Sequence, residues 1–432
     1  MHRRVKLFSI LALAGITAGL FAYNGFLENL SEDEEISEIP GVFGKETIRF
    51  WYADESLSDY INSAAVAFGE AADIRVIPEL VSESEYLEAI NNATVREDVF
   101  PDMYLISNDS LEKAYLSGLA TEIQDTKGVV SEDNFSQAAL SAVTYQGEYV
   151  GYPMYYETTA LLYNETYLQE WAAQQETPTE ATVPANFDEL LTMADTFDPP
   201  ESVESIFTWD VSDIFYNYYL IGNYINVGGE AGDDREQINL YNNEAVLCLQ
   251  KYQALNQFFS IDSATVDYES ILQDFVDGKV VFTVATTDAA AKLAQAKEEG
   301  AFTGDYGFAM MPDVTADLKS RSLSITGCLA ISSYSEKKEE ANEFATFLVT
   351  EYADELYGRT GKMSANKGMD TDNGAAMIFQ AEYGESIPLS KMIDTSNLWI
   401  QLEVLFSKVW NSGDADALLQ ETANQVSTQV VK

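Results

Sequence analysis

Residues 147–164 read GEYVGYPMYYETTALLYN. Gly147, Gly151 and Pro153 punctuate its start, and five tyrosines run through it. Glu157 stands among apolar and hydroxylated neighbours. It is either a solvated charge at a strand end or a group facing something bound, and the rest of the chain decides which.

At 432 residues the chain exceeds one ordinary core, so two lobes are expected. An apolar content of 46%, with 12% aromatic, is ample for packed interiors. The formal net charge of −47 repels phosphate backbones, which argues against nucleic acid as a partner and fits a solubilising surface. The single histidine is His2, so the body lacks the imidazole needed for Ser-His-Asp and Cys-His triads, HExxH zinc sites and histidine bases. Cys248 lies in a helical pattern and Cys328 in a strand-like one. With no CxxC they read as buried apolar fillers, and their pairing is left open.

The N-terminus differs in kind. Arg3, Arg4 and Lys6 precede the charge-free run from Leu7 to Tyr23, a basic region followed by an apolar one, so export is expected. A cleaved signal and an uncleaved membrane anchor both fit residues 1–27. The first cysteine is Cys248, so there is no lipobox. ENLSEDEEISEIPG (28–41) reads as part of an acidic linker, 28–45.

From residue 46 strand and helix alternate. TIRFWY (47–52), IRVIPEL (74–80) and MYLIS (103–107) read as strands. Leu57, Ile61, Ala64 and Phe68 recur at helical spacing between the first two. Ser82 and Glu85 form a capping-box pattern before YLEAINNA, and SLEKAYLSG is a helix ended by Gly118. The succession predicts an α/β fold with a doubly wound parallel sheet, whose ligands sit beyond the carboxyl ends of strands. That singles out Asp54 and Glu55 after the first strand, and Asn108 and Asp109 after the third. Helix capping and loop solvation are the plainer roles for each.

Further on, VSDIFYNYYLIGNYI (211–225) reads as a helix with Val211, Ile214, Phe215 and Tyr218 on one face and Asp213 and Tyr216 off it. VVFTVATTDAAAKLAQA is a buried strand, then Thr286-Thr287-Asp288, then a helix. In SNLWIQLEVLFSKVWNSG, Leu398, Leu402, Leu405 and Val409 form a core stripe beside Trp399, Glu403, Phe406 and Trp410. NVGGEAGDD lacks a Walker lysine and reads as a turn. DTDNG (370–374) departs from a calcium loop and reads as a loop. Glu157 with its tyrosines, and Asp288 after two threonines, have the groups that accept sugar hydroxyls and pack on sugar C–H faces. Aromatic residues on strands and helices are more often core than platform.

The opening stretch resembles the segment in which maltose-binding-like solute-binding proteins of ABC importers first cross between lobes. The resemblance is carried by Gly147, Pro153, Glu157, Leu161, Tyr163 and Asn164. Pro101, Asp102, Gly118 and Leu119 are similar to a second family segment, and Phe275, Gly278 and Lys279 to a third. SITGCLAISSYSEKKEEANEFATFLV and the loop after it resemble a fourth, all in the family's order. The resemblance implies two doubly wound α/β lobes joined by crossing hinge strands, a periplasmic-binding-protein-like fold of type II. Lobe one would be 46–155 and 329–369, and lobe two 156–328 and 370–432. It also implies a sugar gripped by hinge closure and delivered to ABC permease subunits outside the cytoplasmic membrane. A monomer is expected, without cofactor, metal or catalytic residue.

Carried over by residue, Glu157 falls on a ligand-contacting glutamate beside the hinge, Asp109 on an aspartate contacting sugar hydroxyls, and Trp399 on a stacking tryptophan. Ser110 replaces an arginine. Asp288 stands where the family often has a tryptophan platform, and Tyr216 aligns with another aromatic. Tyr156, Asp54, Glu55 and Asn108 complete the candidate set. One platform kept and one lost suggests a ligand other than a linear maltodextrin: a shorter, more polar sugar or an amine-bearing compound. Two other roles fit the same cleft, a glycoside-acting enzyme using an Asp/Glu pair and presentation of ligand to a membrane sensor.

Overall fold

A computed structural model of the chain describes residues 46–81, 86–95, 100–175, 180–370, 372–392 and 395–430. The N-terminal apolar run, the acidic linker and the Ser82–Glu85 capping box lie outside them.

The first strand, β1 (Thr47–Tyr52), leads through a short turn into helix α1 (Ser58–Ala71), and β2 (Arg75–Leu80) returns parallel to β1. α1 buries Ile61, Ala64 and Phe68 at the spacing read from the sequence, together with Tyr60 and Ala65, while Leu57, the first residue of that reading, is buried in the turn before it. Helix α2 (Tyr86–Val95) precedes β3 (Met103–Ser107), which pairs parallel with β1 on its other side. α3 (Leu111–Leu116) follows, with Gly118 beyond it at φ +70°, a left-handed conformation that costs glycine nothing. The expected β-α-β-α-β start is therefore present.

After helix α4 (Gln137–Val143), the stretch 147–164 becomes mostly one strand, β4 (Tyr152–Asn164), thirteen residues long and about 40 Å at ordinary strand rise. Helix α5 (Asn243–Phe259), helix α6 (Tyr268–Val276), strand β6 (Val280–Thr286), helix α7 (Ala289–Glu298) and strand β7 (Tyr306–Ala309) come after the short strand β5 (Ser205–Phe207). The last long strand is β8 (Leu323–Ser332), followed by α8 (Lys338–Val349), α9 (Glu355–Thr360) and the two-residue strand β9 (Met363–Ser364). Helices α10 (Gly374–Glu385), α11 (Ser396–Trp410) and α12 (Ala415–Val430) finish the described chain.

The strands form a mixed sheet in the order β2-β1-β3-β8-β4-β6-β5. β4 pairs antiparallel with β8 along its first half, placing Glu157 opposite Ile325. Along its second half it pairs with β6 and β7. The β4–β8 register shifts at Gly327/Cys328, facing Pro153, which has no N–H to give the ladder. A Cβ on Gly327 would collide with the Tyr155 ring, so glycine there lets that ring lie against the backbone.

The interior has two main cores. The first joins β1, β3 and β8 with α1, α8 and α10, and includes β4 residues from Tyr152 to Ala160. The second begins on β4 at the next residue, Leu161. It gathers Trp209, Tyr252, Phe282, Leu402 and Trp410. In α10, Ala376, Phe379 and Tyr383 pack in the first core, although residues 370–432 were expected with the second half. Their side chains share the face of β4 and β8 that carries Tyr156 and Thr326. Tyr383 stacks on Tyr156 at 4.0 Å, and the Tyr383 and Thr326 hydroxyls are 2.7 Å apart.

The helix expected over 211–225 does not form. Two short 3₁₀ turns, Ile214–Tyr216 and Tyr218–Leu220, stand in its place. Side chains outcompete the helical ladder: Asp213 accepts from the Phe215 N–H, and Asp210 accepts from the N–H groups of Ser212 and Asp213. Asn217 donates to the carbonyls of Asp210 and Asp213 and accepts from Trp209 Nε1. Tyr216, Tyr218, Tyr219, Leu220 and Ile221 are all buried, a nearly continuous run that a helix with one solvated face would not bury. Cys248 and Cys328 are free thiols, buried in different cores.

Candidate functional site

A cavity of about 520 Å³ opens at the carboxyl ends of β1 and β3, lined by Asp54, Tyr86, Ser107, Ser110, Lys113 and Tyr155 among others. Parallel strands deliver their loop residues to this edge, which is why the turn residues after β1 and β3 meet there. Asp54 is fixed by its own turn: Oδ1 accepts from Ser56 N at 2.9 Å and Ser56 Oγ at 2.6 Å.

Beside the cavity, Lys362 joins two of the candidate carboxylates. Its Nζ lies 3.0 Å from Asp54 Oδ2 and 3.4 Å from Glu157 Oε1, and 4.7 Å from the centroid of the Tyr155 ring. The lysine side chain is only 18% exposed. Burial works against the ammonium, but Glu157 and Asp54 outweigh it and hold Lys362 above its ordinary pKa. Burial likewise opposes the Asp54 carboxylate. The Ser56 and Lys362 bonds more than compensate, keeping it below its usual value.

A second group stands on the other core. Asp288, at the start of α7, accepts from Thr286 Oγ1 and from the Tyr268 hydroxyl at 3.1 Å, and pairs with Lys292 at 2.8 Å. Burial would raise its pKa, yet the Lys292 and Thr286 bonds win and hold it down. Tyr216 stacks on Tyr268, ring centroids 5.0 Å apart. Trp399 is half-buried on α11, tilted against Tyr218 at 5.9 Å. The two groups are linked through the loop before Lys362. A Cβ on Gly361 would sit 3.0 Å from the Cβ of Ala291, in the first turn of α7.

Asp54 and Glu157 are thus brought together by Lys362, and Tyr216 and Asp288 by Tyr268. Asp109 is exposed at the cavity edge, accepting from Ser107 Oγ. Glu55 is exposed, with no role visible in its contacts. Two candidates are structural instead. Tyr156 is fully buried against Tyr383, and period two along β4 puts it on the face opposite Tyr155 and Glu157. Asn108 is fully buried and spends its amide on the backbone, accepting from Thr326 N at 2.8 Å and donating to Leu389 O at 2.5 Å. Lys362, Tyr268 and Lys292 escaped sequence reasoning, and Tyr155 entered it only as a neighbour of Glu157. Nothing local marks Lys362: GKMSAN reads as a small-residue loop. Among the described residues no group of His, Cys, Asp and Glu is arranged to hold a metal ion.

An α/β body whose long shared strand carries a glutamate to a cleft edge of carboxylates and aromatics has the architecture of a solute-binding protein. The chain belongs to the bacterial extracellular solute-binding protein family, whose model matches residues 63–379. Several solved structures share the fold. The extracellular solute-binding protein from Staphylococcus aureus, in complex with maltose, superposes with a TM-score of 0.76 at 18% identity, covering 90% of this chain and 98% of that one. A cyclo/maltodextrin-binding protein complexed with maltotetraose gives 0.75 at 20% identity, with the same coverage. A maltose-binding periplasmic protein from Listeria monocytogenes, in complex with maltose, gives 0.74 at 20% identity, also with that coverage. Among curated proteins no sequence match is found.

Proposed function

We propose that this chain is the extracytoplasmic solute-binding component of an ABC importer, gripping a carbohydrate between two lobes and delivering it to membrane permease subunits. The observation that carries the reading is the placement of Glu157. It sits on β4, a thirteen-residue strand that feeds both cores, and Lys362 ties it to Asp54, which lines the cavity at the carboxyl ends of β1 and β3. Lobe one is built on the first core and lobe two on the second, with α10 assigned to lobe one by its packing. Closure over a ligand would bring the Asp54–Glu157 group toward Asp288, Tyr216 and Trp399, shifting the population toward the state that docks on the permease. The apolar N-terminal run exports the protein and, as an anchor or a cleaved signal, sets it on the outer face of the membrane. The protein works as a monomer and performs no chemistry on its ligand.

The carboxylates weigh against a glycosidase. A general acid needs a raised pKa at working pH, whereas Asp288 is held below its usual value and Glu157 is engaged by an ammonium. Isothermal titration against a panel of neutral oligosaccharides, with analysis of the recovered sugar, tests the reading. Stoichiometric binding with the sugar returned intact supports it; turnover, or no binding across the panel, overturns it. Glu157→Ala and Trp399→Ala are each expected to weaken binding by about 1–3 kcal/mol. Losses below a few tenths at both would remove them from the site.

A further inference from the structure

Lys362 fills a site that would otherwise recognise a positively charged group. Two carboxylate oxygens and one aromatic face converge on its Nζ, the set of partners that holds an ammonium. The lysine is positioned by its backbone. Its N–H donates to Thr360 Oγ1 at 3.0 Å, Gly361 turns the chain at φ +72°, and the next residue, Met363, pairs with Tyr156 on β4. All three cage residues are also fixed, Asp54 by Ser56, Tyr155 against Gly327, and Glu157 in the β4–β8 register.

We infer that Lys362 determines the charge class of the ligand: by filling the Asp54–Glu157–Tyr155 cage from within the chain, it makes the cleft select an uncharged hydroxyl-bearing compound over an amine-bearing one. An isolated surface ion pair would be too weak to carry this. Here one mostly buried ammonium has two counter-charges and a ring. An external amine must displace a lysine tethered at high effective concentration. A hydroxyl-bearing ligand need not displace it. Glu157 uses one oxygen on Lys362 while its side chain stays 41% exposed, leaving acceptor capacity. The ammonium has three N–H donors, of which two meet Asp54 and Glu157. The inference rests on the reading of this cleft as the ligand site, and it narrows the two ligand classes that the sequence left open.

The test uses the full-length protein and its Lys362→Met and Lys362→Arg variants. Two probes are used: propylammonium chloride against matched sodium chloride, and the neutral cellotriose against the glucosamine trisaccharide of the same β-1,4 linkage at mildly acidic pH, where its amines are charged. In thermal-shift titrations propylammonium should stabilise Lys362→Met saturably, leave the wild type unmoved, and lose its effect in Lys362→Met/Glu157→Gln. In calorimetry the wild type should prefer the neutral trisaccharide. The preference should fall at least about tenfold in Lys362→Met and persist in Lys362→Arg. A wild type that binds the glucosamine trisaccharide as tightly as cellotriose overturns the inference, as does a Lys362→Met variant indifferent to propylammonium. The wild-type comparison decides even if the Met variant does not fold. If neither trisaccharide binds any form, the propylammonium response decides alone: present as described it upholds the cage, absent it overturns it.

Discussion

Glu382 is a buried carboxyl whose replacement by its neutral isostere should make the protein more stable, by an amount that depends on pH. It lies on α10, 4% exposed, with Oε1 accepting from Met311 N and Oε2 accepting from Ser322 Oγ at 2.9 Å. Burial disfavours its charge, the two hydrogen bonds offset only part of that cost, and Glu385 adds repulsion. Its pKa is thereby pushed from an ordinary 4.5 up to about 7. Between those values the folded chain holds a proton that the unfolded chain has lost, so stability falls as pH rises through the window and levels off above it. A shift of that size corresponds to about 3 kcal/mol. In Glu382→Gln the amide oxygen can still accept from Met311, and its nitrogen can donate to the Ser322 hydroxyl, reproducing the protonated acid at every pH. Urea unfolding of both proteins across the range checks this. The other carboxylates titrate alike in both and cancel in the difference. Glu382→Gln should match the wild type below about pH 4.5 and exceed it by about 3 kcal/mol near pH 8. A gap that does not change with pH, or a variant less stable near pH 8, would refute the reasoning.

Asn108→Ala should strip partners from a buried N–H on Thr326 and a carbonyl on Leu389. Stability should drop by about 2–4 kcal/mol in urea titration, and a loss under about 1 kcal/mol would return Asn108 to the list of ligand contacts. Gly222→Ala should cost at least about 2 kcal/mol, because its Cβ would meet the Arg321 carbonyl and the Tyr218 ring; a thermal midpoint equal to the wild type would contradict the packing around the 211–225 segment.

The elements with a clear period were legible in the chain itself. β1, α1 and β3 form where alternating or 3.6-spaced apolar residues require, because those patterns are local consequences of backbone geometry. Period alone left Glu157 as either a strand-end charge or a ligand-facing group. Its expected place on a strand crossing between lobes came from the family resemblance carried by Gly147, Pro153, Leu161, Tyr163 and Asn164. Period failed at 211–225: the apolar spacing satisfies a helical template while the segment's Asp and Asn side chains claim the backbone for turns. It could not tell platform from core at Tyr156 either, since that depends on Tyr383, far along the chain. The charge arrangement at the cleft also belongs to the tertiary structure. Asp54, Glu157 and Lys362 are distant in sequence and carry no mutual signal. They meet because β9 returns along β4 and places Lys362, the residue before it, within reach of both Glu157 on β4 and the turn after β1, although two strands lie between β1 and β4 in the sheet. Residue types along the chain determined that carboxylates would line the edge of an α/β sheet; only the fold decided that a lysine would already be holding two of them, because a cation's partners are set by distance in space and not by order in the chain.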